Sequence, residues 1–367
     1  MNQNPNQVSV SQRNYGIDLL RLVAAFYVII LHTMNHGGLY QNTTPYSYQD
    51  LLCRILLIIS FCAVNIFGII SGYVGYREPL KKITFSGYLP LWLTVVFYCV
   101  LFNIVYMCLL PGTVTSRDFV MSLFPLTHDL FWYFSAYTMV YFLSPFLNRI
   151  LYYSSEKELK QLFFFICCIL VTLEYINQSF AMEKGYSGIW LLLLYLIGGI
   201  MKKTGIGSRI PSYAALLAIL LIDILYFFLG LKQTDLTIFT LSVSFNFRRS
   251  YITPFYLAAA ILHVILFSRF RFGPLGQKII KFAAPAAFSV YIANTNPSFW
   301  DNFMPNRFAS WATSSPAGIF VRTIVFSLGF VLAVVFIDFL RQQLFRLLGV
   351  NTWVQKVSSF FQKQKAA

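Results

Sequence analysis

The chain has 367 residues, of which 57% are hydrophobic, 18% aromatic and only 11% charged, whereas an ordinary soluble domain carries about 25% Asp, Glu, Lys and Arg. A water-soluble fold is thereby excluded, and the 38 Phe and 23 Tyr suit side chains that sit in or beside lipid. The formal charge of +15 would suggest nucleic acid in a soluble protein; here the cations fall between apolar runs, the placement that orients helices in a membrane, so no nucleic-acid partner is expected.

Windows long enough to cross about 30 Å of hydrocarbon occur at 15–35, 51–73, 88–110, 130–151, 161–176, 188–201, 212–231, 251–268, 284–300 and 317–340. They predict an all-α, polytopic membrane helix bundle of about ten transmembrane helices. The fifth and sixth windows are short and the ninth contains Pro285 and Pro297, so nine or eleven spans remain alternatives. A polar tail, 1–14, precedes the membrane domain of 15–340 and shows no cleavable signal peptide. With ten spans, both termini share a side that collects nineteen of the 28 Lys and Arg against six opposite, which assigns both termini to the cytoplasm. The basic tail 341–367 spaces Leu344, Phe345, Leu348, Trp353, Val357 and Phe360 among cations. Such a segment either rests on the anionic inner leaflet or is stop-transfer charge with a frayed end, and the plainer reading is preferred. The connection 232–250, with Lys232, Asp235, Arg248 and Arg249, is the longest on the outer side and would contact an acceptor or simply be solvated. All six cysteines lie in apolar stretches without metal or redox spacing and read as inert thiols.

Ionisable groups inside a span are costly, about 2.5–3.5 kcal/mol for Arg, Lys or Asp at the centre. The first window has the densest set: Asp18, Arg21, His32 and His36. At 100° per residue, His32 lies about 20° from Arg21 in projection, and Asp18 and His36 lie about 60° away, so the four share one stripe. Arg21 and His32 are about 16 Å apart along the axis. Asp18 and Arg21, three residues apart, can simply neutralise each other, which leaves structural and functional readings of Asp18 equally weighted. Arg21 and His32 together favour function. The His32–His36 spacing also fits two metal ligands one helical turn apart, but only His128 with Asp129 is available to complete a site, and no metal is expected. Asn65, Trp132, Tyr133 and Tyr137 place polar tips where they would line the same cavity; an interhelical hydrogen bond or an aromatic belt explains them equally well. Asp338 is expected to pair with Arg341.

Arg13 through Arg21, running on to His32, resembles the opening helix of the acyltransferase-3 family, whose hallmark is an Arg, ten intervening residues and a His. Phe61–Phe67 ending in Ser71–Gly72–Tyr73 is similar to its second helix. Phe131–Phe134 through Leu143–Asn148 is similar to its tryptophan-containing later helix, and Ser289–Asn294 to its late Tyr-rich segment. Many relatives have His where this chain has Asn294, and the glycan-modifying branch often has Glu where Tyr137 stands. The resemblance implies a bacterial, ten-helix protein of the cell membrane that moves an acyl group, commonly acetyl, from cytoplasmic acyl-CoA to a hydroxyl of a cell-envelope glycan or related acceptor.

On that reading no cofactor is tightly bound, and acyl-CoA is the donor substrate. His32 would be the general base, since imidazole, with a reference pKa near 6.5, can take the hydroxyl proton at neutral pH. Arg21 and Asp18 would accompany it. Arg21, Lys81 and Lys82 would meet the donor's phosphates, with help from cations at 77–82, 202–209 and 269–281. Asn35, His36, Asn65, Trp132, Tyr133 and Tyr137 would meet the acceptor. The main rival is a secondary transporter of a small solute such as an amino acid, because a polar stripe through a bundle also describes a solute pathway.

Overall fold

The structure is a computed structural model that describes residues 13–80, 85–231, 235–238, 241–244 and 250–363. Helix α1 (Tyr15–Met34) starts where the Asn14 side chain accepts the Ile17 amide N–H at 3.1 Å, which satisfies one of the unpaired donors of the first turn. The window 51–73 forms α2 (Tyr48–Phe61) and α3 (Ala63–Gly75), interrupted only at Cys62. Then follow α4 (Phe85–Leu109), the short α5 (Ser116–Leu123) and α6 (Trp132–Tyr153). The fifth window lies in α7 (Glu156–Phe164), which continues through a π-helical turn, Phe165–Leu170, into α8 (Val171–Asn177).

Helices α9 (Gly188–Thr204) and α10 (Ser212–Leu231) lead to a two-stranded antiparallel hairpin, β1 (Asp235–Ile238) and β2 (Leu241–Ser244), with Asp235 opposite Ser244 and Ile238 opposite Leu241. The predicted all-α fold thus gains one short hairpin inside the 232–250 connection; Lys232, Arg248 and Arg249 lie outside the described residues. Helices α11 (Pro254–Ser268), α12 (Pro274–Ala283), α13 (Ala287–Asn294), α14 (Pro297–Asn302), α15 (Pro316–Leu347) and α16 (Val350–Lys363) complete the chain.

Among the described residues, six helical stretches are long and apolar enough to cross a membrane: Tyr15–Met34, Tyr48–Gly75, Gly87–Leu109, Glu156–Asn177, Ser212–Leu231 and Pro316–Leu347. The chain is a multi-pass helical membrane protein on this basis. The ninth window departs most from expectation. Residues 284–300 are two half-helices, because Pro285 confines Ala284–Ala286 to a 3₁₀ turn and Asn296–Pro297 starts a new helix, with the Asn296 side chain capping the Ser298 amide at 3.1 Å. Eight residues of α13 rise only about 12 Å, far short of a span. The C-terminal segment also differs from a frayed end: α15 continues past residue 341, and α16 packs on α4 and α15 with Val354 buried.

Helix α1 is central, contacting α2, α3, α11, α12, α13 and α15. The tightest neighbours are α3 and α9, which approach through small residues. An added Cβ at Gly72 would lie 1.8 Å from the Tyr195 carbonyl oxygen, and one at Gly198 would lie 1.9 Å from that of Ile69. Half-helix α13 is tied down by charge. Asp338 of α15, 0% exposed, accepts Ser289 Oγ at 2.6 Å, Arg341 Nε at 2.8 Å and Gln342 Nε2 at 2.8 Å. The expected Arg341 partner is present, and Ser289 extends the link to α13. Asp338→Ala leaves these donors without their acceptor and is expected to destabilise the protein by about 1.5–3 kcal/mol, read as a lower Tm in detergent.

Candidate functional site

Two cavities meet at His32. The first, about 570 Å³, is lined by Arg21 and Arg77 at one end and by Phe67, Tyr133, Tyr137 and Phe288 along its walls. The second, about 770 Å³, is lined by Asn35, His36, Tyr186, Trp300 and Asp301. Leu31, His32, Trp132, Tyr251, Tyr291 and Thr295 belong to both walls. The first cavity, here called the arginine cavity, has two guanidinium groups and no carboxylate on its wall among the described residues. The second, the aromatic cavity, has Asp301 and, among the described residues, no Lys or Arg. Among the described residues, the charged side chains on the two walls therefore differ in sign on either side of the imidazole.

The stripe on α1 supplies both ends of this arrangement. Asp18 is buried and accepts Arg21 Nη1 at 2.9 Å and Arg13 Nε at 2.5 Å. Its carboxylate holds Arg21 in place and is absent from both cavity walls. His32 Nδ1 is hydrogen-bonded to Asn294 Oδ1 of α13, while its ring meets Trp300 edge-on at 4.7 Å between centroids. His36 stacks on Trp300 at 4.2 Å and 7°, and its Nε2 donates to the Trp300 carbonyl oxygen at 2.9 Å. Among the described residues, no three His, Cys, Asp or Glu side chains cluster as metal ligands.

Half-helix α14, which carries Trp300, is closed over the end of α1 by backbone bonds. Asn306 N–H donates to His36 O at 3.2 Å and Phe308 N–H to Gly37 O at 2.8 Å. Gly38 has φ +78°, and an added Cβ there would lie 2.5 Å from Asn306 Oδ1, so the turn requires glycine.

The structure brings together Arg21, His32, Asn35, His36, Trp132, Tyr133 and Tyr137 on the two walls. Tyr137 shares the wall of the arginine cavity with Ser71 and Arg21. Asn65 is elsewhere. It is fully buried, donates Nδ2 to Tyr251 O at 2.7 Å and accepts Trp190 Nε1 at 3.0 Å, a cross-tie between α3, α9 and the start of α11. Asn65 is on neither cavity wall, and the interhelical hydrogen bond weighed for it from the sequence is present.

Lys81 and Lys82 lie outside the described residues. Of the other cations expected to gather phosphates, Lys203 donates to the Leu151, Tyr152 and Ser154 carbonyl oxygens at 2.6, 2.8 and 3.0 Å, and Arg269 to Gly207 O at 3.0 Å. Lys203 closes the end of α6, and Arg269 the turn between α9 and α10. Arg77 instead lines the arginine cavity.

Tyr186, Tyr251, Tyr291, Thr295, Trp300 and Asp301 were not singled out by sequence reasoning. Tyr291, Thr295 and Trp300 lie within the interrupted ninth window and Asp301 directly follows it, and discontinuous helices in membrane proteins mark sites where irregular backbone lines a cavity. Pro297 was the available signal.

A family model described as an acyltransferase domain, the acyltransferase-3 model, matches residues 14–342. No curated protein and no solved structure matches the chain.

Proposed function

The chain belongs to the acyltransferase-3 family, and from that premise we propose that it is an acyl-CoA-dependent O-acyltransferase, commonly transferring acetyl, that modifies a hydroxyl of a cell-envelope glycan or related acceptor. The observation that carries this reading is the meeting at one imidazole of two chambers, one bearing Arg21 and Arg77 and the other Asp301 among the described residues. The proposed topology counts the broken helix of 284–300 as the ninth of ten spans in a bacterial plasma membrane, with both termini cytoplasmic and the arginine cavity facing the cytosol.

Acyl-CoA enters from that side as a substrate. Arg21 and Arg77 meet its phosphates, and the pantetheine arm, comparable in length to the roughly 16 Å from Arg21 to His32, brings the thioester to the junction. Asp18 orients Arg21. The acceptor occupies the aromatic cavity beside Asn35, His36, Trp132 and Tyr186, while Tyr133 and Tyr137 border the acyl arm. His32 removes the hydroxyl proton as the oxygen attacks the thioester carbonyl. The tetrahedral adduct collapses with cleavage of the C–S bond, and the imidazolium returns its proton to the departing CoA thiolate. The products are an ester and CoA thiol.

The test uses the purified protein in lipid nanodiscs with acetyl-CoA and a cell-envelope glycan fraction. Acceptor-dependent thiol release with an acyl mass increment on the glycan is expected. Solute accumulation by proteoliposomes, without thioester consumption, would favour the transporter reading instead.

A further inference from the structure

We infer that Asn294 is a positioning residue that holds His32 as the Nδ1–H tautomer and so turns the basic lone pair of Nε2 toward the cavity junction. A neutral imidazole carries one proton, and the bond made by one ring nitrogen decides the state of the other. The Asn294 carbonyl oxygen faces Nδ1 and can only accept, so the proton sits on Nδ1. Nε2 is then the acceptor. No protein partner is assigned to it among the described residues, and it is not sealed among the buried unpaired atoms, while the ring lines both cavities.

The support for Asn294 is rigid. It is 0% exposed at the end of α13, and that half-helix is anchored through Ser289 to Asp338 and through the Tyr291 hydroxyl, which accepts the Tyr133 N–H at 3.3 Å. Asn294 is on neither cavity wall, so it acts through His32 and not on substrate. Its Nδ2 is buried without a partner, which makes the amide orientation consequential. Turned by 180°, it would donate to Nδ1, place the proton on Nε2 and present the junction with an acid in place of a base.

The inference rests on the reading of His32 as a base, but its test does not need turnover. The chain has only four histidines, so ¹⁵N-histidine-labelled protein in nanodiscs gives few ring signals, and His32→Gln identifies those of His32. The wild-type protein is expected to show protonated Nδ1 and unprotonated Nε2. Asn294→Asp keeps an acceptor and should retain that pattern; Asn294→Leu removes it and should shift the population toward Nε2–H. In turnover assays Asn294→Leu is expected to lower kcat by about 10²-fold, with KM for acyl-CoA unchanged and recovery in Asn294→Asp. An Nε2–H signal in the wild type, or an unchanged tautomer in Asn294→Leu, would overturn the inference. Absence of acyl transfer together with the expected tautomer would overturn the proposed activity while leaving the Asn294 assignment intact.

Discussion

His32→Gln is expected to lower kcat for acyl transfer by about 10²–10⁴-fold, the range that a positioned general base contributes. Glutamine retains an amide that can face Asn294 and fills a similar volume, so α1 and α13 stay joined. What it lacks is a nitrogen basic enough to take a hydroxyl proton. KM for acyl-CoA should change little, because Arg21 stands about three turns away along α1 and both it and Arg77 are untouched. Initial rates of thiol release, with thermal unfolding as the control for folding, decide the matter. A folded His32→Gln protein with wild-type kcat would remove the imidazole from the chemistry.

Gly72→Val is expected to cost well over 3 kcal/mol and to prevent recovery of monodisperse protein, through packing alone. The obstacle to any side chain at Gly72 is the Tyr195 backbone, whose carbonyl oxygen lies 1.8 Å from the position of an added Cβ. A main-chain atom in a packed helix cannot swing aside as a side chain can, so α3 and α9 must separate. Tyr195 and Asn65 would move with them, and Asn65 is the tie to Trp190 and to Tyr251, which lines both cavities. Gly329→Ala is the matched control. Gly329 is exposed on α15 with nothing within 4 Å of an added Cβ, and alanine there should leave Tm unchanged or raise it slightly. Equal Tm values for Gly72→Val and wild type would contradict the close α3–α9 approach.

The membrane class and the helix positions were legible because apolar length is a property of consecutive residues. Every window read from the sequence coincides with helix. The second is interrupted at Cys62 and the fifth by a π-helical turn, and the ninth is divided between α13 and α14 at Asn296–Pro297. The stripe of Arg21, His32 and His36 was legible for the same reason: a single helix fixes their relative phase. Partnerships across the chain were not. His32 and Asn294 are 262 residues apart, and nothing local distinguishes the Asn294 amide from the Asn65 amide. One meets the imidazole, and the other ties α3 to Trp190. Likewise Lys203 and Arg269 look like free cations in sequence, yet each is committed to the carbonyl groups of helix ends or turns. The aromatic cavity draws Tyr186, Tyr251 and Trp300 from three distant segments, and its existence depends on how α14 folds back over α1.

The most direct measurement uses sealed, oriented proteoliposomes, with radiolabelled acetyl-CoA only on the side to which the arginine cavity opens and the envelope glycan fraction only on the other. The expected result is label on the glycan across the membrane, with CoA thiol appearing in equal amount on the donor side. Thiol release with label found solely on donor-side molecules would contradict transfer through the junction at His32.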